Sequence, residues 1–358
     1  MDDHSFGRQL TVKDFDFELP GELIAQQPPS ERGGSRLLTL DRSTGQIGHR
    51  HFAELPSLLQ PGDVLVLNDT RVFPARLLGR RLPGGGAAEC FLVRPGVEPD
   101  TWTALVHPGQ RLRTGSRMIF ESGRRTLHAE VLGRHFHGRR TVRLWTEDGR
   151  GVRDAIDAIG HIPLPPYIKR SDDAADRDRY QTVYAASRGS IAAPTAGLHF
   201  TPEILSAIER RGVERVIITL HVGYGTFQPV RVDRVEDHVV EAEHYEVSTV
   251  AAAALTRARR EGRRIIAVGT TSTRTLESLP VSPDGEVVGG SGDTAIVIYP
   301  GFQFRLVSGL LTNFHLPKSS LVMLVSAFGG REHVRAAYRE AIARQYRFYS
   351  YGDAMFIA

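Results

Sequence analysis

Asp63-Val64-Leu65-Val66-Leu67-Asn68-Asp69-Thr70-Arg71 is the stretch on which the reading of this chain turns. An unbroken run of branched apolar residues has no inside–outside alternation. It reads as a strand buried on both faces, as in a parallel sheet packed under helices. Directly after it the composition changes. Residues 72–155 carry 15 Lys+Arg against 8 Asp+Glu, while the whole chain of 358 residues has 45 against 41. Five short β-type runs recur in this basic stretch, at 90–94, 102–106, 117–121, 126–132 and 141–145. Turn pairs such as Pro108-Gly109, Thr114-Gly115, Ser122-Gly123, His137-Gly138 and Asp148-Gly149 separate them. Closely spaced strands with glycine turns predict a small antiparallel barrel or sandwich. Pro83-Gly84-Gly85-Gly86 reads as a mobile loop near its entry.

Beyond this segment the pattern becomes α/β. A helix is predicted over 202–211, with Thr201 as N-cap, Pro202 in the first turn and Gly212 at the exit. A strand follows at 216–220, an Ala-rich helix at 248–261, a strand at 264–268 and a last helix over 331–346. Such alternation predicts a mixed or parallel sheet covered by helices. The fold expected is therefore an α/β (mixed α+β) main domain, residues 1–71 and 156–358, split by an inserted basic β-barrel-like domain, residues 72–155. Residues 169–179, dense in Arg and Asp, are expected to form a loop that is mobile in the free protein.

Composition excludes several classes. The sole cysteine, Cys90, rules out an internal disulfide and all-cysteine zinc or iron–sulfur sites, and fits a reducing compartment. Met1-Asp2-Asp3-His4 opens with neither a basic nor an apolar run, so no secretory signal is read there. The longest apolar run, Leu321-Val322-Met323-Leu324-Val325, is far short of the ~20 residues that span a bilayer. Phosphate-loop and zinc-protease motifs are missing. Gly223-Tyr224-Gly225 lacks the third glycine of a dinucleotide loop, because Gln228 stands there.

Polar clusters instead occupy the ends of predicted strands, where open α/β sheets bind ligands. Gly269-Thr270-Thr271-Ser272-Thr273-Arg274 follows a strand and opens a helix. Its amides, its hydroxyls and Arg274 suit a carboxylate or phosphate; a capped helix with a surface arginine is the plainer reading. Ala193-Pro194-Thr195-Ala196-Gly197-Leu198-His199-Phe200-Thr201 offers Gly197 for close ligand approach. His221-Val222-Gly223-Tyr224-Gly225-Thr226-Phe227 and Asn313-Phe314-His315-Leu316-Pro317-Lys318-Ser319-Ser320 add imidazoles, an amide, a phenol and an ammonium. Singly, each histidine reads as a core or surface residue; three at strand or loop ends point to a site. Their spacing matches no common metal-ligand pattern. The basic segment reads either as a phosphate-tracking surface or as a solvated arginine-rich face. From these residues alone, a non-catalytic RNA-binding module and a histidine-based metal hydrolase stand beside a transferase.

Together these runs resemble the S-adenosylmethionine:tRNA ribosyltransferase-isomerases of queuosine biosynthesis. The stretch 63–76, Gln26-Gln27-Pro28, Ser35-Arg36-Leu37-Leu38 and Tyr346-Arg347-Phe348-Tyr349-Ser350-Tyr351-Gly352-Asp353-Ala354-Met355 share the likeness, in order, from about residue 15 to 357. One departure is Val240-Glu241, where the family usually has Met-His; His238 and Glu243 flank it. The resemblance implies transfer and isomerisation of the ribosyl part of S-adenosylmethionine onto 7-aminomethyl-7-deazaguanine at the tRNA wobble position, giving epoxyqueuosine-tRNA, adenine and methionine. It implies no cofactor and no metal, S-adenosylmethionine being consumed as ribosyl donor. Its partners are tRNA and S-adenosylmethionine, with no membrane, and the protein is expected to be a cytoplasmic monomer.

On that basis His199, His221 and His315 are expected as catalytic bases or acids. Arg274 with Thr271 and Ser272 would hold the methionine carboxylate or a phosphate. Tyr224 would face the sulfonium, Asn68 and Asp69 would read the deazaguanine edge, and Gly197, Asn313 and Lys318 would complete substrate binding. Arg71 and Arg76, at the junction of the two units, would contact tRNA.

Overall fold

The structure, a computed structural model, describes residues 9–227 and 229–358. Met1–His4 and Gln228, which entered the reading above, lie outside the described residues. In chain order, β1 (Arg36–Leu40) and β2 (Ile47–His51) form an antiparallel hairpin, followed by β3 (Val64–Asn68) and β4 (Thr70–Val72). Next come β5 (Arg76–Leu82), β6 (Ala87–Pro95), β7 (Thr101–His107), β8 (Arg117–Ser122), β9 (Arg125–Arg134) and β10 (Arg139–Trp145). These six close into an antiparallel barrel. β11 (Ser187–Ser190) pairs with β4 in parallel. Then follow β12 (Glu214–Leu220), β13 (Glu243–Val247), β14 (Ile265–Val268), β15 (Gly290–Thr294), β16 (Gly309–Asn313) and β17 (Ala354–Ile357).

The main sheet has nine strands in the order β15-β13-β12-β3-β14-β16-β17-β1-β2. Its centre, β12-β3-β14-β16, is parallel, and its flanks are mixed. β3 is the keystone. Val64 and Val66 enter the core on one face, Leu65 and Leu67 the core on the other, and all four are fully buried. That two-sided burial is why the run shows no alternation, and it contributes about 1.5–3 kcal/mol per side chain. A charge at Val66 would have nowhere to go.

The helices obey their caps. Thr201 Oγ1 accepts from the Ile204 N–H at 3.2 Å at the head of Pro202–Arg210. Ser248 Oγ does the same for the Ala251 N–H at 3.1 Å ahead of Thr249–Arg260. The expected α/β main body with a small antiparallel barrel is therefore what the chain forms. Three details differ. The sixth barrel strand, β5, went unread because three arginines and a glycine break the apolar pattern of Arg76-Leu-Leu-Gly-Arg-Arg-Leu82; Gly79 sits so close to Ile119 of β8 that a Cβ would meet its carbonyl oxygen at 2.1 Å. The boundary drawn at residue 155 falls inside the helix Val152–Ile159, whose Val152, Ala155, Ile156 and Ile159 pack into the barrel core. The stretch 169–179 is no open loop: it contains the helical turn Asp176–Arg179, and nearly buried Asp176 takes Arg170 Nη1 and Nη2 at 2.6 and 2.8 Å and the Tyr351 hydroxyl at 2.8 Å.

Candidate active site

Parallel strands direct their C-terminal ends to one side of a sheet, and the loops that leave them enclose ligands. Here Val222 after β12, Gly269, Thr270 and Thr271 after β14, and Thr312, Asn313 and His315 at the end of β16 border one cavity of about 360 Å³. Tyr167, Tyr180 and Ala193–Ala196 close another side, and Tyr349 and Ser350 a third. The volume suits a ligand of nucleoside size. Gly269 adopts φ +90°, which only glycine tolerates readily, so the chain can turn from β14 straight into the helix Thr270–Ser278 at the cavity wall. The first amides of that helix have no intrahelical acceptor.

Four buried polar atoms of residues on the wall have no hydrogen-bond partner among the described residues: the Tyr180 hydroxyl, Thr271 Oγ1, Asn313 Oδ1 and the Tyr349 hydroxyl. Unpaired buried polar groups are rare and costly, so a wall holding four of them is shaped for a polar ligand. Asn313 is fixed by its amide nitrogen, which donates to His199 Nε2 at 3.1 Å and to the Tyr349 carbonyl at 3.1 Å. Tyr167 and Tyr349 stack at 4.3 Å between centroids, giving the cavity an aromatic side. Burial pushes the Tyr167 phenol up to about 12.

The three histidines do not share this site. His315 borders the cavity and is buried; burial drops its pKa to about 3 and keeps the ring neutral. Its Nε2 lies 2.7 Å from Thr312 Oγ1, whose hydroxyl donates to the Asn313 carbonyl at 3.3 Å. With the hydroxyl proton on the Asn313 carbonyl, Thr312 accepts from Nε2–H and the lone pair lies on Nδ1; with it on Nε2, the tautomer is reversed. His199 lies behind the wall, its Nδ1 2.9 Å from Ser35 Oγ and its ring stacked on Phe52 at 4.9 Å. Burial, then the nearby Arg347 and Arg32 charges, lower it to about 3. It braces Asn313. His221 faces the other way, with Nδ1 2.7 Å from Thr70 Oγ1; burial lowers its pKa while Glu246 opposes the shift.

Arg274 spends its charge inside the protein. Nη1 meets Glu243 Oε2 at 2.7 Å, both side chains being buried, and Nε donates to the Ile296 carbonyl at 3.3 Å. Glu243 also accepts from the Gly223 N–H at 2.8 Å and Thr226 Oγ1 at 3.2 Å. The pair therefore holds the Gly223–Thr226 turn against the cavity. Ser272 is buried and donates to the Val268 carbonyl at 2.7 Å, whereas Thr271, one residue earlier, faces the cavity.

The other expected residues scatter. Asn68 is fully buried and pairs with the β12 backbone, donating to the Leu220 carbonyl and accepting from the Leu220 N–H, each at 3.0 Å. Asp69 accepts from Thr219 Oγ1 at 2.6 Å and Ser187 Oγ at 3.2 Å in a separate open groove. Lys318 stands at the cavity rim, half exposed, 2.8 Å from Asp16 Oδ2. Gly197 does not border the cavity; a Cβ there would meet the Tyr184 hydroxyl at 2.2 Å. Tyr224 enters a second cavity, between barrel and main body, with Arg76. Arg76 holds Glu89 at 2.8 and 3.1 Å, and Arg71 is exposed on β4. Tyr167 and Tyr180 were missed in the sequence. A Pro165-Pro166-Tyr167 run in a long loop was the available signal, since a rigid aromatic in a loop has little reason to be there without a surface to cover.

Among the described residues no helix is long and apolar enough to cross a membrane, and no group of three or more His, Cys, Asp or Glu is arranged to hold a metal ion. A family model described as queuosine biosynthesis protein matches residues 12–357. Two curated relatives, the S-adenosylmethionine:tRNA ribosyltransferase-isomerases of Desulfitobacterium hafniense and Heliobacterium modesticaldum, are each 50% identical over 97% of this chain and 100% of their own length. The crystal structure of S-adenosylmethionine tRNA ribosyltransferase from Thermotoga maritima is 38% identical, covers 96% of this chain and 100% of that one, and superposes with a TM-score of 0.54. With nearly every residue inside that match, the chain belongs to the queuosine biosynthesis family of S-adenosylmethionine:tRNA ribosyltransferase-isomerases.

Proposed function

We propose that the protein transfers and isomerises the ribosyl moiety of S-adenosylmethionine onto 7-aminomethyl-7-deazaguanine at the wobble position of tRNA, releasing adenine and methionine. It does so in the cytoplasm, as a monomer without a cofactor. Residues 1–71 with 156–358 act as the catalytic unit, and residues 72–155 as a basic insert that tracks tRNA phosphates. One observation carries this reading: loops from 193–196, 269–271, 312–320 and 349–350 border a single cavity with four unpaired polar atoms on its wall.

The chemistry needs a proton taken from the carbon beside the sulfonium, a neutral amine nucleophile and a leaving adenine. His315 is the base in this reading. Burial keeps it neutral at physiological pH, and in the tautomer that donates from Nε2 to Thr312, Nδ1 carries the lone pair. The same burial makes its imidazolium a strong acid, suited to pass that proton to the departing adenine. The methionine carboxylate goes to the helix start at Thr270 and Thr271, which needs no arginine: free amides and a hydroxyl stabilise an anion there. The Tyr167–Tyr349 stack supplies the π-face for the sulfonium, and Asn313 Oδ1 accepts from an amine. Lys318 works at the rim, while His199, Arg274, Gly197 and Ser272 hold the wall in place.

Mixing the protein with S-adenosylmethionine and precursor tRNA, with mass spectrometry for free adenine, tests the reading. Adenine is expected only when both substrates are present, and equally in a strong chelator. Wild-type protein that releases none ends it, and loss of turnover with the chelator favours a metal-dependent hydrolase instead.

A further inference from the structure

The second cavity, about 490 Å³, is built by both bodies of the molecule. The barrel contributes Arg76, Glu89 and Phe91; the main body contributes Pro166, Arg170 and Tyr224. Its wall neighbours that of the catalytic cavity at two places. Pro166 borders both, and the turn Tyr224–Phe227 sends Tyr224 into one and Thr226 into the other. The two cavities are therefore neighbours, at a separation fixed by one proline and one short turn.

The second cavity's walls have a composition of their own. Phe91 and Tyr224 are half-buried and meet edge to face at 5.7 Å, each with part of its surface open to the cavity. A core aromatic pair would be covered. Beside them the Arg76–Glu89 fork presents a donor and an acceptor in one plane, with the guanidinium and carboxylate fixed against each other at 2.8 and 3.1 Å. Flat aromatic surface next to a planar donor–acceptor pair is what an unstacked base requires: stacking on its face and hydrogen bonds at its edge. A phosphate would prefer unpaired cations, and here Arg76 is paired with Glu89 and Arg170 with Asp176.

We propose that this second cavity holds one nucleobase adjacent to the modified nucleotide, stacked on Phe91, with Tyr224 packed against it at a steep angle and the Arg76–Glu89 pair at its edge. The proposal rests on the reading that the first cavity takes the wobble nucleotide of a tRNA. It makes the barrel a reader of single-stranded anticodon bases as well as a carrier of positive charge. Its seat also spans the junction, so binding the base holds barrel and main body together around the reacting pair.

The test is a binding cycle on anticodon stem-loop RNA carrying the aminomethyl base, intact or with an abasic residue on either side of the wobble nucleotide. Dissociation constants come from fluorescence anisotropy without S-adenosylmethionine. For the wild type, one of the two abasic RNAs is expected to bind about tenfold or more weakly than the intact RNA. Phe91→Ala should lose a similar factor on intact RNA and nothing further on that abasic RNA, while Phe91→Tyr should behave as wild type. Should Phe91→Ala not fold, Tyr224→Leu, at a half-exposed ring, makes the same comparison. Abasic penalties equal in wild type and variants, or no measurable binding of the intact RNA, overturn the proposal. Coupling that persists in a protein releasing no adenine would instead reject the proposed reaction and leave the base seat standing.

Discussion

Replacing His199 by glutamine separates a brace from a catalyst. The ring is buried, neutral and held at a pKa of about 3, against an ordinary 6.5. Because the folded value is lowered, the unfolded chain binds the extra proton once pH drops below about 6.5, and stability falls with it until pH nears 3. Between pH 7 and pH 5 the unfolded histidine goes from about one quarter to nearly full protonation, while the folded one stays neutral. Integrating that difference gives about 2 kcal/mol lost to this one residue. Glutamine offers a neutral donor and acceptor of similar reach for Ser35 and Asn313 but does not titrate. It should cost about 1–2 kcal/mol at pH 7 through imperfect packing on Phe52, and the cost should vanish near pH 5. Urea unfolding of both proteins at pH 7, 6 and 5 measures the two slopes. If wild type and variant lose equal stability over that range, within about 0.5 kcal/mol, then His199 is not the buried neutral group described here.

Other outcomes follow from the same geometry. His315→Asn should slow adenine release at saturating S-adenosylmethionine by about a hundredfold or more while leaving tRNA affinity intact; an unchanged rate removes it as the base. Asn313→Leu should weaken S-adenosylmethionine binding by about tenfold or more in calorimetric titration, because an apolar group replaces the unpaired acceptor. Glu243→Ala strands the buried Arg274 charge and should lower unfolding free energy by about 3–5 kcal/mol, with activity dropping as the Gly223–Thr226 turn loosens; a fully stable variant would show that the pair is solvated. Gly197→Ala should destabilise by about 1–3 kcal/mol against Tyr184, and part of that loss should return in a Tyr184→Phe background.

Much of the molecule was legible before folding because it rests on local rules. The Asp63–Leu67 run read as a two-sided buried strand, Thr201 as a helix cap, and the glycine-punctuated basic stretch as a small antiparallel barrel or sandwich. β5 escaped because a barrel strand with exposed arginines on one side and Gly79 pressed on its neighbour carries too little apolar signal. The polar clusters were also legible as a set, since the motif order matches the family from residue 12 to 357.

What the sequence by itself determined is which segments bear chemistry and which fold carries them: caps, buried runs and motifs are properties of neighbouring residues. Direction was decided only by tertiary structure. Successive residues leave the backbone in different directions, so just past β12 His221 turns away while Val222 enters the cavity, and on the helix Thr270–Ser278 Thr271 faces the cavity while Ser272 is buried behind it. Pairing was decided there too. Arg274 looked like an anion clamp until Glu243, 31 residues upstream, took its charge, and Asn68 looked like a base reader until the Leu220 backbone claimed its amide. Whether a polar group serves a ligand or the fold depends on what lies beside it across the chain, and that is settled by packing.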